Sequence, residues 1–156
     1  MVSSQVMNFL DERNVRYEVI SHSPAYTAQG VAAAAHVKGM ELAKTVIVKV
    51  DGTPAMAVLP APFKINFDKL QAAIAGERVE LASEAEFQSL FPDCELGAMP
   101  PFGNLYGMDV YVAQSLTEDE HIAFNAGTHT DLIRMAYKDF ESLVKPKILR
   151  FSAHPR

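Results

Sequence analysis

The sequence predicts an α+β domain spanning residues 1–156, in which a curved, mixed or mostly antiparallel sheet, barrel-like in form, is surrounded by helices. Three observations lead there. Apolar residues make up 49% of the 156 and charged residues 21%, with mean hydropathy near zero, which is a globular balance able to fill one core. Two β-rich runs flank Asp51-Gly52, a strong hairpin signal. Helical and β-rich segments are interspersed without the strict alternation of a doubly wound parallel sheet.

The elements follow in order. Ser3 or Ser4 caps a helix whose apolar positions Val6, Phe9 and Leu10 keep the helical period as far as Asn14. Residues 17–20 read as a short strand, interrupted by His22-Ser23-Pro24; Thr27 opens a second helix through the alanine run 32–35, with Gly39 as its expected stop. Residues 44–50 and 55–59 are the arms of the hairpin. Asn66 caps a helix over 68–75 that Gly76 should end, and a strand follows at 78–81. Ser83 with Glu86 forms a capping box for a helix reaching about Leu90, closed by Pro92. Residues 97–107 hold too much Gly and Pro for regular structure and are expected as a constrained loop over the surface. Strands are expected at 108–112, 122–125, 132–136 and 148–151, with a helix at 138–143.

Composition excludes several classes of function. No run approaches the ~20 apolar residues of a membrane helix, and residues 1–5 lack the basic start and apolar core of a signal peptide, so a cytoplasmic location and no membrane partner are expected. The lone Cys94 cannot form an internal disulfide and reads as a small filler. There is no P-loop, dinucleotide fingerprint, HExxH or G-x-S-x-G elbow, and His22, His36, His121, His129 and His154 are too scattered to mark a zinc site. Neither a metal nor a cofactor is expected. The formal net charge of −5 confines any RNA contact to a local basic patch, for which Lys38, Lys44, Lys49, Lys64 and Lys69 are the candidates, and such binding should be weak and salt-sensitive.

Three segments carry chemistry. Lys44 opens an apolar strand, where an ammonium at a cleft rim can neutralise a phosphate or a developing oxyanion, although most strand-end lysines are simply solvated. In Gly97-Ala98-Met99-Pro100-Pro101 the prolines fix φ while glycine admits close approach, so backbone dipoles are presented rigidly; an ordinary surface turn would look similar. Asn125-Ala126-Gly127-Thr128-His129-Thr130 gathers polar groups in one turn between strands, where His129 either meets a ligand or merely closes the loop.

These segments, together with His22-Ser23-Pro24-Ala25-Tyr26-Thr27 before the alanine-rich helix, Ala43-Lys44-Thr45-Val46-Ile47-Val48, Pro101-Phe102-Gly103, and the continuation into Asp131-Leu132-Ile133, occur in the order and wording of the YbaK/prolyl-tRNA synthetase associated domain family, which the chain resembles over nearly its whole length. The resemblance implies a hydrolase of mischarged aminoacyl-tRNA, with tRNA-Pro carrying alanine, cysteine or another small amino acid as the first substrate to test. With no synthetase segment beside it, the chain looks like a free-standing, trans-editing member. By resemblance Lys44, Gly97, Pro101 and His129 are the catalytic set. Lys44 would meet the terminal phosphate or the ester carbonyl, backbone groups of Gly97 to Pro101 the carbonyl and amino end, and His129 the amino group or a water. His22, Tyr26, Thr27, Val31, Thr45, Ala98, Met99, Asn125, Gly127 and Thr128 would bind substrate. The implied partners are the 3′-terminal adenosine and acceptor end of aminoacyl-tRNA, and a synthetase. An aminoacyl ester is already activated, which fits the missing triad, and a ribose 2′-OH or substrate side chain would move the proton. Thr45 departs from the asparagine that some alanyl-specific relatives carry after the lysine. Two other readings stay open at this level: a non-catalytic module for an aminoacyl or nucleotide ligand, regulatory or synthetase-associated, and an enzyme on another small ester or amide.

Overall fold

Capping chemistry sets where most helices begin. The computed structural model describes residues 4–25, 27–76 and 78–153. Helix α1 (Ser4–Glu12) buries Val6, Phe9 and Leu10 along one stripe, and Asn14, at φ 56°, turns the chain into β1 (Tyr17–Ser21). Helix α2 (Ala28–Ala35) starts at Thr27, whose hydroxyl oxygen accepts the Gly30 N–H at 3.0 Å. It stops at His36, at φ 57°, and not at Gly39. The Val37 N–H donates back to the Ala32 carbonyl while its side chain packs on the apolar cluster beneath, which offsets the about 1–2 kcal/mol that a side chain costs in the left-handed region.

Strands β2 (Leu42–Val50) and β3 (Thr53–Pro60) form the expected hairpin, turning through Asp51 and Gly52 with φ of 49° and 87°. A two-residue strand β4 (Lys64–Ile65) leads into α3 (Phe67–Ile74), where Asn66 Oδ1 accepts the Lys69 N–H at 3.0 Å and Ala75, not Gly76, takes the left-handed stop. After β5 (Val79–Leu81) comes α4 (Glu84–Phe87), whose Glu86 carboxylate accepts the Ser83 N–H at 2.9 Å; a 3₁₀ turn extends it to Leu90. The remaining elements are a 3₁₀ turn at Gly103–Leu105, β6 (Asp109–Ala113), a 3₁₀ turn at Gln114–Glu118, β7 (His121–Asn125), β8 (Asp131–Ala136), α5 (Tyr137–Val144), β9 (Lys147–Leu149) and β10 (Ser152–Ala153).

The main sheet runs β1-β8-β7-β2-β3-β6-β9, and β5 joins the far end of β2 on the edge that β7 occupies at its start. It is mixed: β1/β8, β8/β7, β2/β3 and β2/β5 are antiparallel, whereas β7/β2, β3/β6 and β6/β9 are parallel. A separate ladder pairs β10 with β4. Alternation along the strands divides the core. One face carries Ala43, Ile47, Met56, Val58, Phe124 and Ile133 under α1 and α5; the other carries Leu42, Ala123 and Leu132 under Val31 and Ala32 of α2.

The Gly- and Pro-rich loop departs from expectation. Gly97 is exposed, but the chain from Ala98 to Gly103 is buried, with Phe102 edge-on to Phe9, Phe124 and Phe140 at ring separations of 6.0, 5.4 and 5.6 Å. A buried loop must satisfy its backbone polar groups, and Pro100 and Pro101 shorten that task because they have no N–H to satisfy. Gly103 is required by space: a Cβ there would lie 2.6 Å from Val110 Cγ2 and 2.7 Å from the Met108 carbonyl oxygen.

Candidate functional site

Parallel register places Lys44. The β2/β7 ladder closes with Leu42 opposite Ala123 and Ala43 opposite Phe124, so Lys44 stands abreast of Asn125 one step beyond the last pair. There the two strands part, and this edge of β2 has no strand beside it until β5 joins at Val48, while β3 stays paired along the other edge. Leu42 and Ala123 face α2, so Lys44 and Asn125, each two residues further along its strand, extend to that same face. Thr45 points the other way, towards the face of Ala43, Met99 and Ala126. Lys44 and Thr45 therefore serve opposite sides of the sheet.

The Lys44 ammonium is half-buried and its pKa is lowered, first by loss of solvent and then by the Lys64 cation. Among the described residues no carboxylate lies within 4 Å of it. Lys49 differs: it is neutralised by Glu80 at 3.3 Å and Glu86 at 2.5 Å, which removes it from the free cations expected to grip an RNA. A desolvated cation with no counter-ion attracts an anion or polarises a carbonyl oxygen strongly.

The turn 125–131 is tied to two other segments. Gly127 donates its N–H to the Ala98 carbonyl at 2.9 Å and accepts the Glu95 N–H at 2.7 Å. The His129 N–H donates to Glu95 Oε1 at 2.8 Å, and its Nε2–H donates to the Leu96 carbonyl at 2.7 Å. Gly97, at φ 86°, fits beneath this ring, where a Cβ would sit 3.4 Å from His129 Cε1. On the other side His22 donates its N–H to the Thr130 carbonyl at 2.8 Å, and Ala25 does so to the His129 carbonyl at 3.4 Å. The loop 95–99, the turn 125–131 and the segment 22–25 thus form one cluster at the ends of β1 and β7. Thr27 and Val31 follow at the start of α2, Val31 packed against Leu42 and Ala123. Pro101 lies deeper in the buried part of the loop, and Tyr26 lies outside the described residues.

Glu95 and Asp131 are absent from the sequence-derived set. Asp131 accepts hydroxyl protons from Thr128 at 2.7 Å, Ser21 at 2.9 Å and Thr130 at 3.3 Å. Burial acts to raise its pKa, and these three hydroxyls more than offset that, holding it below the ordinary carboxylate value. The alternation Thr128-His129-Thr130-Asp131, with hydroxyl residues spaced to fold back on a carboxylate, is the signal that marks it. Glu95 carries no comparable local sign.

Buried polar atoms without partners point to what the site receives. Among the described residues these are His22 Nε2, Thr45 Oγ1, Asn125 Oδ1 and Asp119 Oδ2. His22 donates Nδ1–H to the Ser23 carbonyl at 2.8 Å, a tautomer in which Nε2 is the acceptor. His22 Nε2 beyond the end of β1 and Asn125 Oδ1 at the end of β7 are buried acceptors, and Asn125 stands abreast of the uncompensated Lys44, which suits a ligand with an ammonium or hydroxyl donor next to an anion or ester. Cys94 is no nucleophile: burial pushes its thiol up to about 12, with a contribution from the Asp93 carboxylate, although Tyr106 opposes the shift.

A family described as the aminoacyl-tRNA editing domain matches residues 22–143. The proline–tRNA ligase of Macrococcus caseolyticus is 28% identical over 145 residues, which are 86% of this chain and 25% of that enzyme, so the chain spans a quarter of its relative's length. A crystal structure of a proposed trans-editing enzyme for prolyl tRNA synthetase superposes with a TM-score of 0.81 at 17% identity, covering 97% of this chain and 96% of that one. A hypothetical protein of known structure gives 0.86 at 21% identity, over 96% and 100%. At these identities the two structures show a shared fold.

Proposed function

The chain belongs to the aminoacyl-tRNA editing domain family, and on that premise we propose that it is a trans-acting deacylase that hydrolyses the ester between a wrong amino acid and tRNA. Its substrate on this reading is tRNA-Pro bearing alanine, cysteine or another small amino acid, and its workplace is the cytoplasm. The match over 96% of a proposed trans-editing enzyme supports action outside a synthetase chain, with the synthetase as the partner that releases the substrate.

One observation carries the reading: an ammonium without a counter-ion, Lys44, abreast of a buried acceptor without a donor, Asn125 Oδ1. An aminoacyl ester offers the complement of both, an electron-rich carbonyl next to an α-ammonium, with the 3′-terminal phosphate close by. Lys44 stabilises the oxyanion that develops as water attacks the carbonyl carbon, or holds the phosphate that positions it. Asn125 Oδ1 and His22 Nε2 accept hydrogen bonds from the ammonium. His129 acts through position: with Nε2–H held by the Leu96 carbonyl and its N–H by Glu95, it locks the turn to the Gly97 loop and so fixes the pocket wall. The acyl C–O bond to the ribose breaks, and the leaving oxygen takes the proton given up by the attacking water, directly or relayed through the neighbouring 2′-OH, which is reprotonated by that water.

The test is a deacylation panel with tRNA-Pro charged with alanine, cysteine or serine, alongside other mischarged tRNAs. Lys44→Ala should lower kcat/KM about 100-fold, the size of losing one electrostatic stabiliser, and Asn125→Ala should act mainly on KM. Absence of turnover above buffer, with Lys44→Ala indistinguishable from wild type, refutes it.

A further inference from the structure

We infer that the cavity between α3, the Gln114–Glu118 turn and β10 is a second anion site, holding a backbone phosphate of the tRNA whose acceptor end reaches Lys44. This rests on the proposed function. The cavity measures about 360 Å³ and is lined by Lys69, Gln114, Ser115, Glu118, Arg150 and Ser152.

Its cations are uncompensated. Among the described residues neither Lys69 nor Arg150 has a carboxylate within 4 Å, whereas Lys49, Arg78 and Arg134 elsewhere on the molecule are ion-paired. The Arg150 Nε–H donates to Gln114 Oε1, which orients the guanidinium and leaves its terminal nitrogens for a bidentate grip on two phosphate oxygens. Ser115 and Ser152 hydroxyls lie 3.3 Å apart; one proton is used between them, so the other remains to donate to an anion. Glu118 is the single acid of the lining and leaves the charge positive.

Its location selects a polynucleotide. Ser152 pairs with Ile65 and Ala153 with Lys64, and Lys64 is the cation that acts on Lys44. The β10/β4 ladder thus joins the cavity, through Ser152, to the strand that carries Lys64 towards Lys44, on a chain whose net charge of −5 repels a polyanion elsewhere. A strand that puts its 3′ end at Lys44 can lay an upstream phosphate in this cavity.

The experiment measures binding of uncharged, fluorescent tRNA-Pro by anisotropy across a salt series, comparing wild type, Lys69→Ala/Arg150→Ala and, as a control at the two ends of α5, Lys138→Ala/Lys145→Ala. Losing that one phosphate contact should reduce the slope of log K against log salt by about 0.7 and weaken binding roughly 5-fold at 0.1 M salt. The control should match wild type, and hydrolysis of 3′-alanyl-adenosine, which lacks the upstream strand, should be unchanged in the double variant. An unchanged slope, an equal loss in the control, or no binding by wild type overturns the inference. So does saturation of the cavity by inorganic phosphate or AMP without displacement by tRNA, which would assign it to a free anion. Wild type that binds tRNA with the expected slope loss in the variant, yet deacylates nothing, sinks the deacylase reading and leaves this site standing.

Discussion

Phe102 is the residue through which the core holds the site, and replacing it with Ala separates tethering from folding. The ring is fully buried and edge-on to Phe9, Phe124 and Phe140, at 6.0, 5.4 and 5.6 Å. Truncating a buried Phe to Ala costs about 3–5 kcal/mol in transfer and cavity terms, which include three ring contacts of about 0.5–1.5 kcal/mol each. For a domain of this size each kcal/mol moves Tm by about 2–4 °C, so Tm should fall by roughly 6–20 °C. Phe102→Leu keeps most of the volume and should lose only about 1–2 kcal/mol. Urea titrations followed by circular dichroism measure both. Ala98, four residues earlier, holds the turn through its carbonyl and the Gly127 N–H, so a loosened loop should also lower kcat/KM under conditions where the variant is still folded. A loss below about 1 kcal/mol for Phe102→Ala, or equal losses for Ala and Leu, would show that the loop is not anchored by this ring. Unchanged activity in a clearly destabilised variant would show that anchoring does not reach the site.

Other perturbations test separate links. Gly103→Ala should destabilise by about 1–3 kcal/mol in thermal unfolding, because the added methyl meets a backbone carbonyl at 2.7 Å that cannot swing aside; a neutral effect refutes this. Hydrogen bonds from Lys49 and from Ser83 hold the Glu86 carboxyl down to about 2, below its unfolded value of 4.5, so the stabilisation is full above pH 4.5 and lost as pH falls towards 2. Glu86→Gln should flatten that part of the stability curve, and an unaltered acid limb contradicts it. Lys44 has the opposite sense: its folded pKa lies below 10.5, so its burial opposes folding while it is protonated, and that opposition fades as pH rises from the folded pKa to 10.5. Lys64→Ala should raise the Lys44 pKa, readable from the lysine side-chain NMR titration; no change would mean that burial alone sets it. Glu95→Ala should cost no more than about 1 kcal/mol of stability, since the lost bond to the His129 N–H lies at the surface, yet lower kcat/KM by freeing the turn; the reverse pattern refutes a positioning role.

What the sequence determined alone was local: the caps at Thr27 and Asn66, the Ser83–Glu86 box, the Asp51-Gly52 turn and the helical stripe of α1. Each depends on groups a few residues apart, whose hydrogen bonds or steric limits act before any distant contact forms. Helix ends were less legible, because at His36 and Ala75 back-bonding, joined at His36 by a contact from Val37, displaced glycine's advantage. Motif wording brought out Lys44, Gly97 and His129 as a set but not their arrangement. Tertiary structure decided that the Gly97 loop dives into the core after one exposed residue, and that Glu95 and Asp131 brace the turn. It also set Asn125 beside Lys44, 81 positions away in the chain, through a parallel pairing only two residues long. Such a pairing has no local signature, because it is selected by which faces Leu42, Ala123 and Val31 can bury together.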